Sequence, residues 1–148
     1  MDEGSQRLRR DSAKLILEHR RWSGFAEGAH DMQAAEETAG LCEVEHRARH
    51  AVRPGFRITE LQISPTQEVP WHYHNNIQDT FYVLSGAIRI LLSNPTDEVR
   101  LMPGETYSVP PKRPHLVKNA GDFSAVFFVL QGIGEYDFSL VTEGPHSE

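Results

Sequence analysis

A regular series of chain breaks after residue 43 limits the fold more than any other feature of this sequence. Arg53-Pro54-Gly55, Ser64-Pro65-Thr66, Ser93-Asn94-Pro95, Met102-Pro103-Gly104, Pro110-Pro111 and Asn119-Ala120-Gly121-Asp122 interrupt short runs rich in Val, Ile, Phe, Tyr and Thr. Pro presets a turn dihedral and Gly admits conformations closed to other residues, while β-branched and aromatic side chains suit a pleated surface. The breaks recur too often for a long helix, so 43–141 is predicted to be an all-β sandwich or barrel of many short strands. A chain of 148 residues has room for one such domain with a usable core.

Alternation assigns faces within the strands. Ile88, Ile90 and Leu92 fall on one side and Arg89 on the other, giving a strand with one buried face. The run from Phe123 to Gln131 is apolar on both faces, which predicts cover from the barrel interior on one side and from a second sheet or subunit on the other. Residues 1–42 differ in texture, being rich in Ala, Glu, Arg and Gly. They are expected to form a short N-terminal extension, helical or disordered, or packed on a neighbouring subunit. Asp11 or Ser12 is placed to cap a helix through about Trp22, and Asp31 another that stops at Gly40. Residues 142–148 read as a C-terminal tail.

Charge narrows the partners. Fifteen Lys plus Arg against 21 Asp plus Glu give a net charge of −6, so the chain should repel phosphate backbones and anionic lipid. Arg7, Arg9 and Arg10 lie among Asp2, Glu3 and Asp11 and read as a solvated terminus, so no nucleic acid is expected. No apolar run approaches membrane-spanning length, and the N-terminus lacks the apolar stretch of a secretion signal. One cysteine, Cys42, allows no internal disulfide and fits a reducing, cytoplasmic setting.

The chemistry concentrates in histidine. His72 and His74 are one residue apart in an extended segment, which puts both rings on one face about 7 Å apart at Cα. That spacing allows both to chelate one ion. Asp79 adds an oxygen ligand and His115, after a Pro-rich turn, a third nitrogen. Such a donor set suits one divalent transition metal, Fe(II), Mn(II), Ni(II) or Zn(II), and is too rich in nitrogen for Mg or Ca. Gln78 competes for the fourth place, but alternation lets only one of Gln78 and Asp79 join, and Asp79 shares its face with Phe81 and Val83. Interior histidines held by hydrogen bonds, with Asp79 orienting them, are the alternative. His19, His30, His46, His50 and His146 read as surface residues, and Asn119 as a structural hydrogen-bonding residue.

The spacing of these residues resembles the cupin superfamily, whose two motifs read G-x5-H-x-H-x(3,4)-E-x6-G and G-x5-P-x-G-x2-H-x3-N. His72, His74 and Gly86 fall in register with the first motif, with Asp79 in the glutamate place. Gly104, Pro110, His115 and Asn119 fall in register with the second. Thr66 and Lys112 stand where the motifs have glycine. Asp79 is one methylene shorter than glutamate, about 1.5 Å less reach, which leaves open a site of three histidines with the carboxylate acting through water.

The resemblance implies a double-stranded β-helix (jelly-roll) barrel. It also implies a small metalloenzyme of the dioxygenase, isomerase, decarboxylase or lyase kind, acting on an oxygen-bearing small molecule. A non-catalytic module that binds or senses a small ligand or metal is the rival reading. A metal-free sugar epimerase fits the intact histidines less well. A homodimer is the expected assembly. No catalytic residue is assigned beyond the ligands. Tyr107 or Glu60 would serve as acid or base if either faced the cavity, and Phe81 is the foremost candidate for its wall.

Overall fold

The computed structural model describes residues 42–142, and the two helices expected before Gly40 lie outside them. Among the described residues, ten strands make two five-stranded antiparallel sheets. The first sheet contains β1 (His46–Arg53), β2 (Phe56–Ile63), β9 (Ala125–Gly132), β4 (Gln78–Ser85) and β7 (Thr106–Val109), in that order. The second contains β10 (Ser139–Leu140), β3 (Glu68–Tyr73), β8 (His115–Asn119), β5 (Ile88–Leu92) and β6 (Asp97–Leu101). The two sheets face each other as a barrel, the expected all-β architecture, and the predicted breaks fall between strands. No helix among the described residues is long and apolar enough to cross a membrane.

The period of two decides what lies between the sheets. Phe81 and Val83 on β4, Phe127 and Val129 on β9, Ile88 and Ile90 on β5 and Val117 on β8 alternate inward and are nearly inaccessible. Burying one such side chain contributes roughly 1.5–3 kcal/mol. The same alternation turns Val126, Phe128 and Leu130 outward, where they are only half-buried. No second sheet covers that face among the described residues. The strand also begins two residues later than the apolar run, and Phe123 stays in the preceding turn, 83% exposed.

The apolar side chains fill one end of the barrel, and the polar inward residues collect at the other. A register irregularity on β3 between Val69 and His72 causes part of this separation. It brings Val69, His72 and His74 all inward although Val69 and His72 are three apart. Beyond it His72 lies directly across from His115 on β8.

The motif positions explain themselves through backbone geometry. Gly86 has φ of +72°, and a Cβ there would lie 2.9 Å from the Ala125 backbone. Gly104 has φ of +87° with nothing within 4 Å of such an atom. Lys112, in place of a motif glycine, also adopts a left-handed conformation, φ +68°. Thr66 has no positive φ, so the departure there carries no strain. We therefore predict that Gly86→Ala destabilises more than Gly104→Ala, since both introduce left-handed strain of about 1–2 kcal/mol and only the first adds a backbone clash. Lys112→Gly should relieve strain and raise stability by up to about 1 kcal/mol. Chemical denaturation of the three variants checks the order.

Candidate metal centre

His72 and His74 from β3 and the loop after it, Asp79 from β4 and His115 from β8 meet inside the barrel, each at most 2% exposed. One ligand atom from each lies within 4.8 Å of all the others. Asp79 Oδ2 is 3.0 Å from His74 Nε2, 3.1 Å from His115 Nε2 and 3.6 Å from His72 Nε2. The shorter aspartate thus reaches the convergence point. Gln78 does not, because it is exposed on the opposite face and donates to Thr80 Oγ1 at 3.3 Å.

The other ring nitrogens fix the tautomers. His72 Nδ1 donates to the Pro70 carbonyl at 2.7 Å, His115 Nδ1 to the Arg113 carbonyl at 3.0 Å, and His74 Nδ1 to the Asp137 carbonyl. A carbonyl oxygen only accepts, so each Nδ1 carries the proton and each Nε2 lone pair is left to aim at the shared centre. Three lone pairs and a carboxylate oxygen cannot be neighbours without a cation or proton between them. The cluster is therefore able to hold a metal ion, and its three nitrogens and one oxygen are a donor set for a divalent transition metal.

Ionisation follows the same crowding. Burial opposes charge on Asp79, but the adjoining rings of His115, His72 and His74 outweigh it and hold the carboxyl well below its ordinary value. Burial also opposes charge on His74, yet the adjacent Asp79 carboxylate and the Asp137 carbonyl raise its pKa above the ordinary 6.5. Burial dominates at His72 and lowers its pKa, with the neighbouring His115 adding to the effect. The ion-free cluster thus favours a proton on His74 against Asp79. That pair contributes stability over a window that closes as pH falls through the depressed Asp79 value and as pH rises through the raised His74 value.

Several contributors carried no motif. Gln131 on β9 donates to Asp79 Oδ1 at 2.8 Å and fixes the carboxylate. Asp137 accepts from the backbone N–H groups of Asn75 at 2.6 Å and Asn76 at 3.0 Å, tying the C-terminal segment to the loop beside His74. Phe138 stacks on His72, with ring centroids 4.6 Å apart. A cavity of about 70 Å³ opens against His72 and Asp79, walled by Phe81, Val129, Tyr136, Phe138 and the side chains of Arg47, Arg49 and Arg57.

Phe81 is a wall residue, as expected, whereas Tyr107 packs against the apolar core and Glu60 points out of the barrel. Glu60 lies 2.6 Å from His50 Nε2, so neither Tyr107 nor Glu60 is an acid or base for the cavity. His46 and His50 belong to strand β1 and form no cluster with metal-binding spacing among the described residues. Asn119 is structural. Its Nδ2 donates to the Ile63 and Phe123 carbonyls at 3.0 and 2.7 Å, and its Oδ1 accepts from the Gly121 N–H. Cys42 is buried, which pushes its thiol pKa up and keeps it protonated.

Residues 59–131 match the cupin domain family. No curated protein matches the chain. Among solved structures, an uncharacterized conserved protein with a double-stranded beta-helix domain from Klebsiella pneumoniae is similar with a TM-score of 0.60 and 21% identity, over 71% of this chain and 94% of that one. A DMSP lyase structure matches with a TM-score of 0.56 and 23% identity, over 65% of this chain and 52% of that one. An oxalate oxidase matches with a TM-score of 0.54 and 19% identity, over 59% of this chain and 46% of its own. The chain thus spans nearly all of the first relative and about half of the other two. The motif register, the barrel and the family match agree, and residues 59–131 of the chain are a cupin domain.

Proposed function

We propose that this cupin is a small metalloenzyme that holds one divalent transition metal through His72, His74, His115 and Asp79. Its substrate is an oxygen-bearing small molecule taken into the adjacent cavity. The observation that carries this reading is the set of three Nδ1 hydrogen bonds to backbone carbonyls, which commits three Nε2 lone pairs to one point. Bound there, an Fe, Mn, Ni or Zn ion would supply Lewis acidity or, for the redox-active metals, electron transfer.

The protein's part is to orient and exclude. Carbonyls and Gln131 hold the ligands in place, as supporting hydrogen bonds do around metal sites generally. Phe81, Val129 and Phe138 supply the apolar part of the cavity wall. That wall carries no carboxylate besides Asp79 and hydroxyls only from Thr59 and Tyr136, among the described residues. Reactions driven by the ion itself suit this wall best: dioxygenase, decarboxylase, lyase or isomerase chemistry. Oxalate oxidase, an oxalate decarboxylase with Mn(II) centres and a DMSP lyase stand among the structural relatives. The scarcity of acid and base groups also favours a second reading, a module that binds or senses a small ligand without turning it over.

The assembly we propose is a homodimer, supported by the outward Tyr82, Leu84, Val126, Phe128 and Leu130, an apolar set on one sheet face. The lone buried cysteine fits the reducing cytoplasm.

Elemental analysis of untagged protein should find about one transition metal ion per chain. His74→Ala should weaken retention by more than the roughly 10- to 100-fold that loss of a supporting hydrogen bond costs. A metal-free protein that cannot be loaded would overturn the reading. Oxygen uptake by the iron-loaded form then separates redox from redox-neutral chemistry, and ligand binding without turnover of any kind identifies the binding module.

Loading should also displace the proton held between His74 and Asp79. Because the His74 pKa is raised above 6.5, the ion-free site keeps its proton to higher pH than an ordinary histidine, so metal affinity should fall as pH falls. Calorimetric titrations in buffers of different ionisation enthalpy should show net proton release near pH 6.5, and release of none would contradict the assignment.

A further inference from the structure

We propose that the cavity beside the histidine cluster is a carboxylate-binding site, in which Arg57 anchors a small organic acid and turns the rest of that molecule toward His72, His74, Asp79 and His115. The anchoring half stands on the cavity alone, while the orientation toward the cluster rests on the metalloenzyme reading above.

Arg57 is the first inward residue of β2, followed at the strand period by Thr59, Leu61 and Ile63. It is 3% exposed, and a guanidinium in that position loses most of its hydration. Its plane lies over the Tyr136 ring with Cζ 3.6 Å from the centroid, which fixes its orientation and compensates only in part. Its Nη1 is buried without any hydrogen-bond partner. Orphaned buried donors are rare in folded proteins, and this one lies on a residue that walls a cavity.

The cavity concentrates positive charge in an acidic chain. Arg47 and Arg49 from β1 line it with Arg57, against the single carboxylate of Asp79. That carboxylate is already engaged by the imidazole nitrogens and by Gln131. Arg47 donates to the Cys42 carbonyl at 3.4 Å, and Arg49 is exposed at the opening. The chain as a whole carries −6, so composition does not account for three cations on one wall. Arg47 and Arg57 repel the Arg49 charge, and an anion bound among the three would relieve that repulsion.

Register sets the distance. Arg57 pairs with Gln131, and Gln131 pairs with Asp79, so the three form one row across β2, β9 and β4. Two strand spacings put the ends of the row about 10 Å apart at Cα. The cavity has room for about five to seven water-sized groups, which fits an acid of roughly two to four carbons. Planarity favours a carboxylate, whose two oxygens match the guanidinium fork, and the apolar Leu61, Val69 and Val129 suit a short carbon chain better than a tetrahedral oxyanion.

Isothermal titration of the metal-loaded and metal-stripped full chain at low ionic strength tests this. The probes are acetate, lactate, pyruvate and malonate, with lactamide as a neutral mimic of lactate and inorganic phosphate as a competing anion. At least one acid should bind, lactate should exceed lactamide by about 10- to 100-fold, and phosphate should be weaker than the best acid. Arg57→Gln should remove that preference while metal content stays at the wild-type value, and Arg57→Lys should restore part of it. Should Arg57→Gln fail to fold, the lactate-to-lactamide ratio of the wild type and the loss of affinity in Arg49→Gln carry the test.

Equal affinity for lactate and lactamide, tighter phosphate binding, no binding by any acid, or an unchanged Arg57→Gln overturns the proposal. A chain that takes up no metal yet prefers acids through Arg57 keeps the anion site and sinks the metal reading. Metal uptake without acid preference does the reverse.

Discussion

Three backbone carbonyls, those of Pro70, Arg113 and Asp137, hold the Nδ1 protons of His72, His115 and His74 and so direct three lone pairs at one buried point. Pro70 on β3 and Arg113 in the turn before β8 each lie two residues before the ring they hold, and the two strands pair at His72 and His115. The third comes from the far end of the chain. Because the tautomers are fixed by main chain, the site is built into the barrel's geometry and not into side-chain choice alone. Asp79 then places an oxygen among nitrogens that are all acceptors when neutral, and the arrangement requires a positive charge to sit there. In the metal-free state a proton on His74 meets part of that requirement, which is the physical origin of its raised pKa.

The C-terminal segment is coupled to the same requirement. Asp137 uses its carbonyl on His74 and its carboxylate on the Asn75 and Asn76 amides, so one residue orients the His74 ring and anchors the loop that presents it. Tyr136 and Phe138, on either side, cover Arg57 and His72. The site is therefore closed by chain that follows the last long strand, and the wall of its cavity is assembled from both ends of the barrel sequence. Removing this segment would be expected to loosen the histidines and expose the arginines together.

Much of the fold could be read from residue order because turns and alternation are local. Pro and Gly marked the breaks, and the period of two placed Ile88, Ile90 and Leu92 inward. The convergence of the four side chains was legible because His72, His74 and Asp79 are close in sequence and His115 follows a recognisable turn. What stayed hidden depends on register between strands far apart in sequence. Arg57 joins the cavity because β2 pairs with β9 and β9 with β4, and no local pattern states that order. The same pairing turns Glu60 away from the cavity and toward His50. Phe123 belonged to an apolar run yet falls in a turn, since the run has no marker for where pairing begins. Lys112 keeps the left-handed turn of the motif without its glycine, which shows that the surrounding strands impose that conformation.

The most direct test of the convergent lone pairs is anomalous diffraction from crystals of the full chain grown with Zn(II) and measured at the metal edge. The account predicts one strong peak per chain, within coordinating distance of Nε2 of His72, His74 and His115 and beside Asp79 Oδ2, with each Nδ1 still on its carbonyl. Imidazoles turned to separate faces, or a peak bound elsewhere with this cluster left without one, would contradict it.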